Sequence, residues 1–328
     1  MHDTITKYED GIWQVKVPLP FPLQWVNAYV IIGGEGGITL IDPGLHTSAG
    51  VDRWEEARRK IGFQWSDVVS IVLTHHHPDH YGLAGWMQER TGAPVLMSDE
   101  AWHQARMLWS EEMTASTSSA LLAMFAAHGL PRDKHAAMRE HLDSFIPLVS
   151  PQPAGIRAVS YGERVLLGDT IYEAIHTPGH ASGHLSFYHA ESGRLFCGDH
   201  VLPRISPNVS LLPFGDEDPL GTYLDSLRQA QRLPVKLAFP GHRDPFPHYN
   251  ERVGAILEHH QERLEQIRTL MAEPRTGYEV CLALFGDQLS MHQLRFALSE
   301  TLAHLVYLEL RGIVKRVESA DSTTFVSV

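Results

Sequence analysis

Cysteine is nearly absent from this sequence: Cys197 and Cys281 are the only two among 328 residues. Neither has a second cysteine nearby, which excludes both a disulfide-stapled fold and a thiolate zinc finger. Any metal ion bound by this chain must therefore be held by nitrogen and oxygen atoms. Cys197 lies in a strand-like segment, where we expect a small buried apolar side chain.

Three further features are missing. The N-terminus lacks the basic segment and apolar run of a secretory signal, and no stretch reaches the roughly 18 consecutive apolar residues of a membrane span. Positive charge is not in excess either, because the formal net charge is −12, and so no global field attracts nucleic acid or an anionic membrane. We expect a cytoplasmic protein that acts on a small molecule, without a membrane partner, and either monomeric or a homo-oligomer.

The chain has the composition of an ordinary globular protein, with 43% hydrophobic and 20% charged residues. Strand-like segments at 27–32 and 68–74 alternate with helical ones, including Ser48–Ile61. Residues 99–147 are helical in composition, and strand-like segments resume after them. The sequence therefore predicts an α/β catalytic domain over residues 1–273 with a helical insertion at about 99–147.

Residues 274–328 form a second predicted domain, in which two helices precede a small hairpin, as in a winged-helix module. A DNA-binding regulator is the alternative of a different class that this outline suggests. From Arg275 onward, however, five basic residues stand against six acidic ones, a net charge of −1. A duplex binder needs a basic face to neutralise phosphates, so we favour a packing or dimerisation role.

Histidine is concentrated in "HHHPDH", at the end of the predicted strand 68–74. Residues two apart on an extended chain point the same way, so His75 and His77 share a face while His76 points to the other. The proline ends the strand and begins a helix, whose first turn brings Asp79 and His80 back over the same spot. Imidazoles and a carboxylate in one concave site suit a divalent transition metal.

Three short stretches downstream have the same character: "TPGH" offers His180, "CGD" offers Asp199 and "PGH" offers His242. Each donor stands where a predicted strand meets a loop, on what would be one edge of a sheet. His184 and His200 flank two of these donors. They are either partners of the metal ligands or residues that are merely hydrogen-bonded.

These motifs resemble those of the metallo-β-lactamase superfamily. "HHHPDH" matches its HxHxDH signature, and "IDPG", "TPGH", "GD" and "PGH" match its other motifs in order, over about residues 13–242. The resemblance implies a four-layer αββα sandwich that holds two divalent metal ions. It assigns His75, His77 and His180 to one ion, Asp79, His80 and His242 to the other, Asp199 as the bridge, and Asp42 of "IDPG" as the residue that orients a ligand.

Two divalent cations with this ligand set would activate a water molecule for hydrolysis. Asp79 is then the expected catalytic residue, since it can orient the attacking water and shuttle a proton. We expect zinc, and iron or manganese are also compatible with ligands that are all nitrogen and oxygen.

The substrate is predicted to be a small ester, thioester or lactone. Asp199 stands where the best-known β-lactamases of the superfamily carry cysteine, which counts against antibiotic hydrolysis. Glyoxalase II and the acyl-homoserine lactonases share this ligand set, although "GDHVLPR" lacks the tyrosine of the lactonases. Phosphodiesterases and nucleases use the same metal site and form the alternative. Diiron oxidoreductases usually replace a histidine of HxHxDH, which this sequence keeps.

The inserted segment is expected to cover the metal site. Its apolar residues Leu122 and Phe125, together with Phe21 and Trp25 near the N-terminus, could line a pocket for an acyl chain. The alternative is that these residues simply pack the insertion onto the domain.

Overall fold

The computed structural model describes residues 3–9, 11–35, 37–319 and 322–328. Asp321, one of the acidic residues counted above, lies outside them. The described chain forms two large β-sheets, helices on the outer face of each, and a small third sheet.

The first sheet has seven strands, hydrogen-bonded in chain order. The strands are antiparallel from the first to the fourth and parallel from the fourth to the seventh. They are β1 (Ile5–Lys7), β2 (Ile12–Pro18), β3 (Trp25–Ile32), β4 (Ile38–Ile41), β5 (Val68–Val72), β6 (Val95–Met97) and β7 (Ile156–Ala158).

The second sheet has five strands in the order β12-β11-β10-β9-β8, of which only the β11–β12 pair is parallel. They are β8 (Arg164–Leu167), β9 (Thr170–His176), β10 (Leu185–His189), β11 (Arg194–Gly198) and β12 (Leu237–Pro240). The third sheet, in the order β13-β15-β14, contains β13 (Arg275–Thr276), β14 (Val314–Glu318) and β15 (Thr323–Ser327).

Ten α-helices complete the described chain, and none of them is both long and apolar enough to cross a membrane. They are α1 (Ser48–Ile61), α2 (Pro78–Tyr81), α3 (Ala84–Thr91), α4 (Asp99–Trp109), α5 (Thr114–Ala127), α6 (His135–Asp143), α7 (Pro219–Ala230), α8 (Tyr249–Leu270), α9 (Gly277–Phe285) and α10 (Met291–Leu310). The boundaries follow local chemistry: α10, for example, begins at a capping box in which Ser290 and Gln293 satisfy each other's backbone N–H groups.

Strand alternation builds the layers. On β3, Tyr29 and Ile31 face the second sheet, where they meet Phe187 and Phe196 in a shared apolar core. Val30, which lies between them on β3, faces the opposite way and packs under α1, α3 and α4. The outer face of the second sheet packs against α7 and α8. The expected α/β fold is therefore confirmed, with helices outside two facing sheets.

The inserted and C-terminal segments share the outer core of the second sheet. Leu121 and Phe125 of α5 lie in that core together with Val280 of α9 and Leu298 of α10. The C-terminal segment is thus continuous with the catalytic domain in packing. Helix α10 is buried along most of its length, with eleven buried residues.

Candidate metal centre

Seven histidine and aspartate side chains converge at one edge of the two sheets. His75 and His77 follow β5, and His77 caps α2, which carries Asp79 and His80 in its single turn. The other three stand beside the second sheet: His180 lies in the loop between β9 and β10, Asp199 directly follows β11, and His242 follows β12. We call these seven residues the metal cluster.

His75, His77 and His180 form the first half of the metal cluster. Nδ1 of His77 lies 3.1 Å from Nε2 of His75 and 3.0 Å from Nε2 of His180. A tetrahedral cation with metal–nitrogen distances near 2.0–2.1 Å holds its ligands about 3.3 Å apart. The three imidazoles therefore have the spacing of ligands to one divalent ion.

Asp79, His80 and His242 form the second half. Their ligand atoms lie within 4.8 Å of one another, and Oδ2 of Asp79 is 3.1 Å from Nε2 of His242. Asp199 stands between the halves, because its Oδ2 is 3.7 Å from Nε2 of His180 and 3.3 Å from Nε2 of His242. The structure thus brings together all seven residues singled out in the sequence.

Buried atoms without partners test whether cations fit here. Within the described residues, Nε2 of His80, Nε2 of His242 and Oδ1 of Asp199 are buried and make no hydrogen bond. Polar atoms are rarely left unsatisfied in a protein interior. Nitrogen and oxygen donors that all face one point are what a divalent transition metal requires, so the residues fit a pair of such ions.

Gly241 allows this convergence. A Cβ atom at this position would lie 2.1 Å from Oδ1 of Asp199 and 2.5 Å from Cε1 of His80. Any side chain would therefore push two members of the metal cluster apart, which explains the glycine of "PGH".

Asp42 fixes two of the imidazoles. Its carboxylate accepts hydrogen bonds from the backbone N–H and hydroxyl of Thr74, at 2.8 and 2.7 Å, and from Nδ1 of His80 at 2.9 Å. The Thr74 hydroxyl, having donated to Asp42, accepts from Nδ1 of His75 at 2.9 Å. Both histidines therefore keep Nε2 free to bind a cation. Asp42 has a φ of +49°, a left-handed conformation that aspartate tolerates better than most residues.

Backbone carbonyls fix two more imidazoles. Nδ1 of His180 donates to the carbonyl of Asn208 at 2.7 Å, and Nδ1 of His242 donates to the carbonyl of Trp25 at 2.9 Å. Asn208 is itself tied to α10, because its side-chain amide donates to the carbonyl of Phe296 and, at 2.7 Å, to Glu300. The C-terminal helix is thus two hydrogen bonds away from a predicted metal ligand.

The other histidines near the motifs have different places. His184 accepts from the backbone N–H of Asp199 at 3.3 Å and is hydrogen-bonded to Thr177 at 2.8 Å, so it holds the loop that carries Asp199. His200 is instead hydrogen-bonded to Ser226 at 2.9 Å. His76 is buried, and its carbonyl accepts from the indole of Trp109 at 2.9 Å.

The two halves of the cluster differ in electrostatics. Burial, reinforced by neighbouring imidazoles, holds the pKa of His75 and His77 well below the usual range. Burial also acts on His242, but Asp199 and Asp79 outweigh it and raise its pKa to about 10. The pKa of Asp199 is well below its usual value, because His242 and His80 overcome the effect of burial. The first half therefore offers neutral imidazoles and the second half ionised carboxylates, and a cation that binds the second half would displace the proton of His242.

A cavity of about 250 Å³ opens onto the metal cluster. Its wall is mostly apolar and comes from separate parts of the chain. We call the following residues the cavity wall: Phe21 and Leu23 before β3, Leu108, Trp109 and Phe145 of the insertion, Leu202 and Ile205 after β11, and His292, Arg295 and Phe296 of α10.

The cavity wall differs from the predicted pocket in three residues. Phe21 does line the cavity, but Trp25, Leu122 and Phe125 are absent from its described lining. Phe125 is fully buried in the core of the second sheet, and Leu122 packs against that core. The Trp25 ring lies against Lys16 and Arg243. The inserted segment thus lines the cavity through α4 and Phe145, whereas α5 packs in the core.

Sequence reasoning did not find the residues of α10 that reach the cavity. His292, Arg295 and Phe296 are spaced i, i+3 and i+4, which puts them on one face of the helix. That spacing was visible, but nothing in the sequence relates this face to the distant histidine motifs.

Comparison with known proteins agrees with the geometry. The family model described as the metallo-beta-lactamase superfamily matches residues 25–242, and the model of a metallo-beta-lactamase-like C-terminal domain matches residues 264–326. A solved structure, a metallo-beta-lactamase family protein from Thermus thermophilus, is 34% identical with a TM-score of 0.85, over 97% of this chain and 99% of that one.

Three curated relatives carry functional names. The probable metallo-hydrolase YqjP of Bacillus subtilis is 29% identical over 96% of this chain and 98% of its own length. An atrochrysone carboxyl ACP thioesterase of Aspergillus fumigatus is 25% identical over 83% of this chain and 63% of its own. A hydroxyacylglutathione hydrolase of Rhodospirillum rubrum is 29% identical over 63% of this chain and 57% of its own.

Proposed function

The chain belongs to the metallo-β-lactamase superfamily and is a metal-dependent hydrolase, and from that premise we propose that it cleaves small esters, thioesters or lactones with two divalent cations. The observation that carries this proposal is the apolar cavity that opens onto the metal cluster. An acyl chain is stabilised by burial against such a wall, whereas a polynucleotide needs a basic groove.

Zinc is the cation that we propose, with iron and manganese as the alternatives that the nitrogen and oxygen ligands also suit. His75, His77 and His180 would hold one ion, Asp79, His80 and His242 the other, and Asp199 both. When bound, two such ions polarise an acyl carbonyl and lower the pKa of a coordinated water towards neutrality.

Asp79 is the proposed catalytic residue. Its side chain is 18% exposed and lines the cavity, whereas the side chain of His242 beside it is 2% exposed. The Asp79 carboxylate can therefore reach both a ligand position and the substrate. It would accept a proton from the attacking water and return it to the leaving oxygen or sulfur as the acyl bond breaks. The products are a carboxylic acid and an alcohol or thiol.

The names of relatives support an acyl substrate. The ACP thioesterase and the hydroxyacylglutathione hydrolase both take their names from acyl-group hydrolysis. Each is covered over less than two thirds of its own length, so neither identifies the alcohol or thiol part of the substrate.

The C-terminal segment, with two helices and a three-stranded sheet, is proposed to be a winged-helix-like module with a packing role. In a helix-turn-helix DNA binder the second helix of the motif enters the major groove. Here the second helix is α10, which is buried along most of its length. Its burial supports a role inside the enzyme, and not as a DNA-binding regulator.

Initial rates of metal-replete protein on matched thioester, lactone and phosphodiester substrates test the proposal, with Asp79→Ala as the control. We expect the carbonyl substrates to be cleaved well ahead of the phosphodiester, and the variant to lose these activities. The reverse order of rates would overturn the acyl-hydrolase proposal and make phosphate esters the leading substrates.

A further inference from the structure

Arg295 is a cation in the cavity wall that has no anionic partner in the described part of the chain. Its Nε is buried without a hydrogen bond, and its guanidinium lies 4.3 Å from the ring centroid of Phe296. The residue as a whole is half-buried, and arginine is rarely withdrawn from water unless it is paired. Burial lowers the pKa of Arg295 to about 10, so the side chain remains charged at neutral pH.

The next acidic residue along α10 is already engaged. Glu300 accepts from the side-chain amide of Asn208 at 2.7 Å. Arg295 lines the same cavity as His77, Asp79 and His180 of the metal cluster. Arg295 therefore lies close to where the substrate carbonyl would bind.

His292 gives the same cavity a second unsatisfied polar group. Its ring stacks on Phe21, with centroids 4.8 Å apart and planes 12° apart, and its Nδ1 is buried without a hydrogen bond among the described residues. His292 and Arg295 are separated by one helical turn and line the same cavity. Two polar side chains with atoms that find no partner in the described chain point to a ligand that supplies one.

We propose that Arg295, assisted by His292, binds an anionic group of the substrate, so that the enzyme acts on acyl compounds that carry a carboxylate or a phosphate. This inference rests on the proposed acyl-hydrolase function and adds a substrate class to it. The acyl carbonyl lies at the metal cluster, and the anion lies against α10. A planar guanidinium suits either anion, because it donates two parallel hydrogen bonds.

The size and charge of the cavity support this class. A volume of about 250 Å³ is below the roughly 300–1,000 Å³ of pockets for drug-sized ligands, which suits a short acyl compound. Of the residues that make up the cavity wall, only Arg295 carries a full charge at neutral pH, and that charge is positive. An anionic substrate is therefore favoured over a neutral one of the same shape.

The test compares three p-nitrophenyl esters on metal-replete protein: the butyrate, the monosuccinate and the 3-phosphonopropanoate. We expect the wild-type protein to prefer an anionic ester to the butyrate by about 10- to 100-fold in kcat/KM, the factor of a hydrogen bond to a charged group. The better of the two anionic esters identifies the carboxylate or the phosphate as the natural group.

Arg295→Met should abolish this preference, measured as the ratio of kcat/KM for the anionic ester to kcat/KM for the butyrate. Arg295→Lys, which keeps the charge and loses the planar fork, should retain part of it. Lys315→Met removes the same charge from an exposed position of β14 and should keep the full preference. Equal losses on all three esters in Arg295→Met would overturn the proposal, because they would show that Arg295 only packs the cavity.

Calorimetry separates this proposal from the proposed function. Metal-replete protein should bind succinate more tightly than butyrate, and Arg295→Met should remove the difference. If the wild-type protein hydrolyses none of the esters but shows this binding pattern, the acyl-hydrolase function is wrong and the anion site stands. The same succinate-to-butyrate affinity ratio in Arg295→Met and wild type would overturn the anion site.

Discussion

The metal cluster and the cavity wall meet in one site but are built differently. The residues of the metal cluster stand on short loops and on the single turn of α2, at the ends of strands, and Asp42, Asn208 and Trp25 hold the outer nitrogens of three of its histidines. The cavity wall comes from helices and loops far apart in the chain, and its polar members, His292 and Arg295, have atoms left unsatisfied by the described residues.

This difference separates two tasks. Hydrogen bonds that fix the imidazoles make the metal cluster rigid, which is what catalysis by positioned cations needs. An apolar wall with few directional contacts would select substrates by their shape and charge, with little effect on the reacting atoms. Changes to the cluster should therefore affect rate and metal binding, and changes to the wall should affect substrate preference.

The largest expected effect is that of Asp79→Ala on turnover. In the proposed mechanism Asp79 both binds a cation and transfers a proton, so its loss should lower kcat by about 10³-fold or more. The fold should survive, since His80 and His242 keep Asp199 as an ionic partner. Steady-state rates and circular dichroism check this, with Asp225→Ala on the exposed side of α7 as the matched control. Retention of most of the rate would contradict the proposed mechanism.

Removal of the metal ions is expected to have the second-largest effect, measured as a loss in the free energy of unfolding. A ligand present at 1,000 times its dissociation constant stabilises the folded state by about 4 kcal/mol. Denaturant unfolding in a chelator should therefore occur at a clearly lower midpoint than unfolding with free zinc. Addition of excess zinc should restore the midpoint, and an unchanged midpoint would argue against a bound metal.

Asp42→Ala tests the network around the cluster. His80 loses its acceptor, and Thr74 loses the partner that lets it hold His75, so metal affinity should fall about 10- to 100-fold. Asp42→Asn can still accept a hydrogen bond from Thr74 but carries no charge. Its metal affinity should lie between those of the wild type and Asp42→Ala. Chelator competition measures both. Wild-type affinity in Asp42→Ala would mean that the outer hydrogen bonds do not hold the cluster.

The smallest effect is expected from a substitution in the cavity wall. Leu108→Ala removes apolar surface from the cavity and should raise KM for a butyrate ester about 10-fold, with kcat nearly unchanged. Leu166→Ala, at a side chain that is 51% exposed, is the matched control. A fall in kcat as large as the rise in KM would contradict the idea that the cavity wall sets substrate preference while the metal cluster sets the rate.

Much of the metal cluster could be predicted from sequence because its geometry is local. His75, His77, Asp79 and His80 are adjacent, and the strand and helix periodicities alone bring them to one spot. The distant members each follow a glycine turn at the end of a strand, and the topology of a layered α/β fold brings strand ends together. The family model and the structure confirmed the predicted family and the predicted α/β fold.

The cavity wall could not be predicted because an apolar side chain does not show which layer it faces. Leu108 lines the cavity and Phe125 is fully buried in the core, although both lie in helices of the insertion. Arg295 lies on a helix whose position depends on the packing of α9, α10 and the second sheet. Only the folded structure shows that this arginine has no ionic partner among the described residues.

The hydrogen bonds of Asn208 impose an order on the maturation of the enzyme. A chain emerging from the ribosome presents His242, the last residue of the metal cluster, before α10 has been synthesised. Until α10 docks, that helix cannot accept a hydrogen bond from the side-chain amide of Asn208. The carbonyl of the same residue is what fixes His180. We therefore expect the complete metal centre to load only after α10 has been synthesised and has docked, and a chain truncated before α10 to bind zinc weakly.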